Sequence, residues 1–140
     1  MVKKSEIRSA AQRHSRVRRQ HSDELAEDYA EAIYNILEGD KDVRISDLQA
    51  VFGVSHVTVI KALKRFEEHG YLIYSKSEGI YLTEKGLETA KKSAARHALL
   101  VEFLIKLGVS PTQADADAEG TEHHLSEETY DAIRAFLKKS

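Results

Sequence analysis

The sequence predicts a mainly α fold, an N-terminal winged helix-turn-helix with a two-stranded wing followed by a helical C-terminal domain. Three observations carry that expectation. Apolar residues recur at steps of three and four over most of the 140 residues. Two short helical segments flank a tight turn at Gly53-Val54, and the stretch from Tyr71 to Leu82 reads as a β-hairpin. The expected division is a basic arm over 1–22, the winged unit over 23–83 and the helical domain over 84–140.

Each element has its own signal. From Asp23 to Glu38, Leu25, Tyr29, Ile33, Ile36 and Leu37 form one apolar face, with Ser22 as the predicted cap and Gly39-Asp40 as the stop. Ser46, with Gln49 three residues on, is the predicted cap of a second helix carrying Leu48, Val51 and Phe52, which Gly53 ends. Ser55 caps a third, in which Val59, Ala62, Leu63 and Phe66 share a face before His69 and Gly70. The hairpin pairs Tyr71-Leu72-Ile73-Tyr74 with Ile80-Tyr81-Leu82. Thr83 opens a helix of about seven turns to Leu107, with Leu87, Ala90, Ala94, His97, Val101 and Leu104 as its predicted stripe. Ser110-Pro111 begins a helix of about a dozen residues, and Ser126 with Glu127 and Glu128 begins the last. The long stripe, with Ile133 and Phe136, predicts a homodimer, because so apolar a helix needs a partner surface.

Composition excludes several classes. With 41% hydrophobic and 31% charged residues the chain has enough apolar material for a core and is neither disordered nor membrane-spanning. No apolar run approaches the roughly 20 residues of a spanning helix, and the first 20 residues lack the apolar centre of a signal peptide, so a cytoplasmic protein is expected. There is no cysteine, hence no thiolate nucleophile or sulfur metal site; any metal must be held by histidine and carboxylate.

The net charge of -2 hides an asymmetry. Residues 1–20 carry Lys3, Lys4, Arg8, Arg13, Arg16, Arg18 and Arg19 against Glu6, a net +6, which leaves -8 for the other 120. A basic arm ahead of an acidic body is either a solvated tail or a grip on phosphate. The order helix, helix, helix, hairpin favours the second. In such modules the N-terminal residues of the second helix of the pair reach base edges in the major groove of double-stranded DNA. Here those are Ser55, His56, Val57, Thr58 and Lys61, whose hydroxyls, methyls and ammonium suit phosphate, thymine methyl and guanine. Lys64 and Arg65 lie one turn on, and Lys76 sits at the wing tip beside Glu78.

A second constellation carries different chemistry. If the helix from Pro111 runs on unbroken, Glu119, Glu122 and His123 fall within about 100° of arc and converge. Asp28 and Glu31 form an i, i+3 pair on the first helix, and His97 lies on the apolar stripe. Singly, a histidine on such a stripe is ordinarily a core residue and an acidic pair a solvated face. Together, four carboxylates near buried surface repel unless a cation joins them, and two divalent ions balance the charge of Asp28, Glu31, Glu119 and Glu122.

From about residue 23 onward the chain resembles the manganese transport regulators of the diphtheria-toxin-repressor superfamily, metal-dependent transcription factors. The likeness lies in Glu27-Asp28-Tyr29-Ala30-Glu31-Ala32-Ile33-Tyr34, Arg96-His97 and Asp117-Ala118-Glu119-Gly120-Thr121-Glu122-His123-His124-Leu125-Ser126. The resemblance implies a C-terminal dimerisation domain, repression of manganese-uptake genes from operator DNA, and Mn²⁺ as cofactor, with two ions per subunit. It places the ligands at Asp28, Glu31, His97, Glu119, Glu122 and His123. Iron-responsive relatives differ by carrying methionine and cysteine where this chain has Asp28 and Glu119. Oxygen donors there suit manganese. Two other readings are a winged-helix regulator that needs no metal and a di-metal carboxylate enzyme. The enzyme reading lacks the paired Glu-x-x-His motif, since Gly120 and Thr121 stand three residues before His123 and His124.

Overall fold

The computed structural model describes residues 2–39 and 41–139, with side chains outside 17–22. Six helices and one antiparallel hairpin follow in the order α1 (Lys4–Glu38), α2 (Ile45–Phe52), α3 (His56–Glu68), β1 (Leu72–Ser75), β2 (Gly79–Leu82), α4 (Glu84–Lys106), α5 (Pro111–Thr121) and α6 (Glu127–Lys138). The hairpin pairs Leu72 with Leu82 and Ser75 with Gly79. This is the expected winged helix-turn-helix followed by a helical domain. Among the described residues no helix is long and apolar enough to cross a membrane.

Two helix starts and one helix interior differ from expectation. The first helix begins at Lys4, not Asp23: no proline or glycine interrupts residues 4–22, and the Glu6 carboxylate accepts from the Lys3 N–H at 2.9 Å. The basic arm is thus largely helix, continuous with the first helix of the winged unit, and α1 is about 52 Å long. Asp40, expected to help close it, and the side chains of Ser22, Arg18 and Arg19 lie outside the described residues. The second helix is entered at Arg44, not Ser46, because the Asp47 carboxylate reaches back to the Arg44 N–H at 3.0 Å. The third difference is in α5, where Glu119 (ψ 117°) and Gly120 (φ 89°) leave helical geometry. That kink overturns the unbroken-helix argument for the ligand arc.

Two cores result. One joins α1, α2, α3 and the wing around Ile33, Leu48, Leu63, Phe66 and Leu72, with Tyr29 stacked on Phe52 at 4.3 Å and tilted against Phe66 at 5.3 Å. The other joins α4, α5 and α6 through Leu100, Ala118 and Ile133. Helix α4 packs against both α1 and α5. Its buried side runs through Gly86, Ala90, Ser93 and Leu100, so Ala94, expected inside, is exposed. The buried phase is shifted because a serine, Ser93, occupies an inward position and bonds Glu31.

The wing is tied to α4 by hydrogen bonds. Thr83 Oγ1 donates to the Gly70 carbonyl at 2.5 Å, the Thr83 N–H donates to the Tyr71 carbonyl at 3.1 Å, and Lys85 lies over the Tyr71 ring. A Cβ on Gly86 would overlap the Tyr71 carbonyl. Gly86→Ala must therefore part the wing from α4, and a loss of about 1–3 kcal/mol in urea unfolding is expected. Parental stability would contradict this packing.

Candidate metal centre and nucleic-acid interface

Helix α3 presents its N-terminus to solvent. Ser55 Oγ accepts from the Thr58 N–H at 3.2 Å and bonds the Thr58 hydroxyl at 3.0 Å, so both residues serve the cap while facing outward. His56, Val57, Lys61, Lys64 and Arg65 are exposed, as is Lys76 on the wing, whereas Val59, Leu63 and Phe66 hold the helix to the core. Val57 is 60% exposed, an apolar side chain that nothing in the fold requires there. Among the described side chains of the arm, 2–16, Lys3, Lys4, Arg8, Arg13 and Arg16 stand exposed with Glu6.

The carboxylates and histidines assemble where α1 meets α4, the α5 kink and the turn before α6. Helical spacing puts Glu24, Asp28 and Glu31, with Glu27, on neighbouring positions of α1. His97 comes from α4. Gly120 turns the chain so that Glu119 and Glu122 both approach His97 Nδ1, each at 3.6 Å, while His97 Nε2 bonds Asp115 at 2.8 Å. His123 points to α1: Nε2 meets Asp28 at 2.9 Å and Nδ1 meets Glu27. Glu122 Oε1 also lies 3.6 Å from His123 Nε2 and so stands between the two imidazoles. Two groups of ligand atoms, each within 4.8 Å of one another, follow: His97, Glu119 and Glu122, and Glu24, Asp28 and His123.

Five of the six expected ligands thus fall in these two groups. Glu31 stands apart from both, bonded to Ser93 Oγ at 3.0 Å, but it lines a common cleft with Asp28 and Glu119. Glu24, Glu27, Asp115 and Ser93 were not expected. Glu24 had a signal, its i, i+4 spacing from Asp28, and Glu27 had its i, i+4 spacing from Glu31, whereas Asp115 and Ser93 gain meaning only from the packing of α4. His124 turns away from His123 and pairs with Glu24 at 3.1 Å.

Burial governs the electrostatics. Glu122 is 1% exposed, and burial pushes its carboxyl above the usual range, which its own backbone hydrogen bond, His123 and His97 oppose and Glu119 reinforces. Burial pulls His97 down, but the Asp115 hydrogen bond and the charges of Glu122 and Glu119 hold it above its ordinary value. Burial lowers His123 too, yet Asp28 and Glu27, one at each ring nitrogen, push it up to about 10. Tyr130, raised to about 12 by burial, donates its hydroxyl to the Glu122 carbonyl at 2.6 Å.

The donor set fits a hard divalent cation. His97 Nδ1 and Glu122 Oε2 are buried without a hydrogen-bond partner, an arrangement that a cation satisfies. Oxygen and nitrogen atoms within 4.8 Å of one another are spaced for bonds of roughly 2.0–2.6 Å to one ion.

Comparison with known proteins gives the same architecture. Residues 23–80 match the iron dependent repressor N-terminal DNA binding domain, and residues 83–140 match the iron dependent repressor metal binding and dimerisation domain. The chain is 44% identical over 123 residues to the transcriptional regulator MntR of Escherichia coli, covering 88% of this chain and 79% of that protein. It is 41% identical over 107 residues to the HTH-type transcriptional regulator MntR of Listeria monocytogenes, covering 76% and 75%. A manganese-dependent transcriptional repressor solved with manganese superposes with a TM-score of 0.72 at 29% identity, over 81% of this chain and 52% of that one. The manganese regulator SloR gives 0.71 at 26%, over 82% and 54%. The chain spans about half the length of these two solved structures.

The raised His123 fixes a pH dependence for the metal-free protein. Its imidazolium is held in the fold up to about 10 against an ordinary 6.5, so its contribution is fully present below pH 6.5 and is lost as pH rises through about 10. Within that window stability falls with rising pH through this group. Urea unfolding across the window checks it. His123→Gln should flatten the slope, and equal slopes in both proteins would contradict the assignment.

Proposed function

The chain belongs to the family of iron-dependent repressors, and on that premise we propose that it is a manganese-responsive transcriptional regulator, a homodimer that binds operator DNA and represses manganese-uptake genes when Mn²⁺ is bound. The family is one of transcriptional repressors, not of enzymes. In this reading residues 23–83 bind DNA, 84–140 bind metal and dimerise, and residues 1–22 supply a basic extension. The observation that carries it is the Glu122 carboxylate, buried between His97 and His123 where α1 meets the C-terminal helices.

Asp28, Glu31, His97, Glu119, Glu122 and His123 would hold the metal, as two ions per subunit. When bound, the ions supply positive charge that offsets the carboxylates and replaces the proton of His123. Asp28 and Glu31 belong to α1, and the other four to α4, α5 and the turn after it, so the ligand set joins the DNA-binding half to the dimerisation half. Tyr29, one residue from Asp28, stacks on Phe52 of α2 and packs on Phe66 of α3. Holding α1 therefore holds α3. In a two-fold dimer the spacing of the two α3 N-termini is then set for half-sites about one helical turn apart. Linkage requires that operator DNA tighten metal binding by the same factor.

Selectivity for manganese follows from donor type. Asp28 and Glu119 are hard oxygen donors, which suit Mn²⁺ better than the sulfur donors that favour later metals. A winged-helix regulator without metal accounts less well for the site, since Glu122 would then keep a buried oxygen unpartnered. The deciding measurement is fluorescence anisotropy of the metal-free protein on promoter DNA, titrated with Mn²⁺. Affinity should rise at least about tenfold, within the usual range of coupling between sites; unchanged affinity sinks the reading.

The basic extension enters this function as a grip on phosphate that ignores sequence. Deleting residues 1–20 should weaken binding to all duplexes alike and reduce the slope of log K against log salt by about 0.9 for each phosphate that the extension neutralises. An unchanged slope would make the extension a solvated helix.

A further inference from the structure

The two groups of ligands are unequal without a residue that the expected set omits. His97, Glu119 and Glu122 form a complete triad. On the other side, Asp28 and His123 are the two donors beside Glu122, which is shared with His97, and Glu31, though in the same cleft, is turned to Ser93. The third member there is Glu24, one helical turn before Asp28 on α1, with a ligand atom within 4.8 Å of those of Asp28 and His123. Its side chain is 19% exposed. One carboxylate oxygen lies 3.1 Å from His124 Nε2, and the other would lie 3.6 Å from a Cβ on Gly120, so the carboxylate rests against the α5 kink that shapes the centre.

We propose that Glu24 is a further metal-binding side chain of this centre, a hard oxygen donor that leaves His124 for the ion held by Asp28 and His123. The inference rests on the metal-responsive reading above. Three observations support it. A cation that prefers many oxygen ligands gains an anionic one on the side that otherwise has one carboxylate of its own. His124 is 42% exposed, and an ion pair at such a surface is weak, so giving it up costs little. Glu27, the other carboxylate at His123, sits on Nδ1 and suits a different task, orienting the ring while Nε2 faces Asp28 and Glu122. The chemistry of the site is then a carboxylate-rich pocket for a hard divalent ion, with α1 contributing Glu24 as well as Asp28.

The test is Mn²⁺ binding to the full metal-free chain without DNA, followed by loss of the free-ion electron paramagnetic resonance signal. Glu24→Gln should weaken one of the bound ions at least about tenfold and leave the other unchanged. Glu24→Asp, which keeps the charge but shortens the reach, should weaken the same ion and serves as the second variant if Glu24→Gln does not fold. His124→Gln should bind as tightly as the parent or more so. Parental affinity in a folded Glu24 variant, or the same loss in His124→Gln, overturns the assignment, the latter because Glu24 would then act through His124. If the parent binds no Mn²⁺, the assignment falls together with the reading of the chain as manganese-responsive; if the parent binds and the Glu24 variants match it, only Glu24 falls.

Discussion

A buried carboxylate, Glu122, is the constraint around which this molecule is arranged. Taking an unpaired charge out of water costs several kcal/mol, and the chain offsets that cost by placing His97 and His123 on either side of it. To bring those imidazoles there, α5 must end in a kink rather than run on, α4 must pass close enough to present His97, and α1 must approach to meet His123. Each of these is visible in the backbone. Gly120 adopts a positive φ, α4 packs against both α1 and α5, and Glu27 and Asp28 grip the two nitrogens of one ring.

The same constraint joins two otherwise separate cores. The aromatic cluster of Tyr29, Phe52 and Phe66 belongs to the winged unit, and Leu100, Ala118 and Ile133 belong to the C-terminal helices. Polar contacts link them where α1 crosses toward the kink, in residues separated by 95 or more positions in sequence. Such contacts respond to charge in a way that apolar packing does not. A regulator needs a joint whose strength depends on a small ligand, and two ordinary hydrophobic cores coupled through carboxylates and histidines have that property.

Much of this was legible in the sequence because helices advertise themselves by period. The positions of α2 through α6 followed from apolar spacing and from Ser55, Thr83, Ser110 and Ser126, whose caps the structure contains. The start of α1 was not legible, since charged and small residues form helix without an apolar stripe and Ser22 looked like a boundary. Glu119, Glu122 and His123 were singled out by an argument that assumed a straight helix; the bend instead sends Glu119 and Glu122 to His97 and His123 to Asp28, and φ at Gly120 leaves little trace in one sequence. Ser93 illustrates a different limit. A stripe found by counting apolar side chains passes over a serine that is buried because its hydroxyl has a carboxylate, Glu31, to reach. The assignment of carboxylates to one histidine or the other depends on how helices cross, which local pattern does not encode.

The donor set described above, imidazole and carboxylate throughout, also determines how the protein meets oxidants. Thiolates climb from sulfenic to sulfonic acid, and thioethers become sulfoxides, so a sensor that grips its metal through sulfur reports redox state along with metal supply. This chain has no cysteine, and its one methionine is the first residue. Peroxide at levels that modify sulfur therefore finds no such atom in either group of ligands.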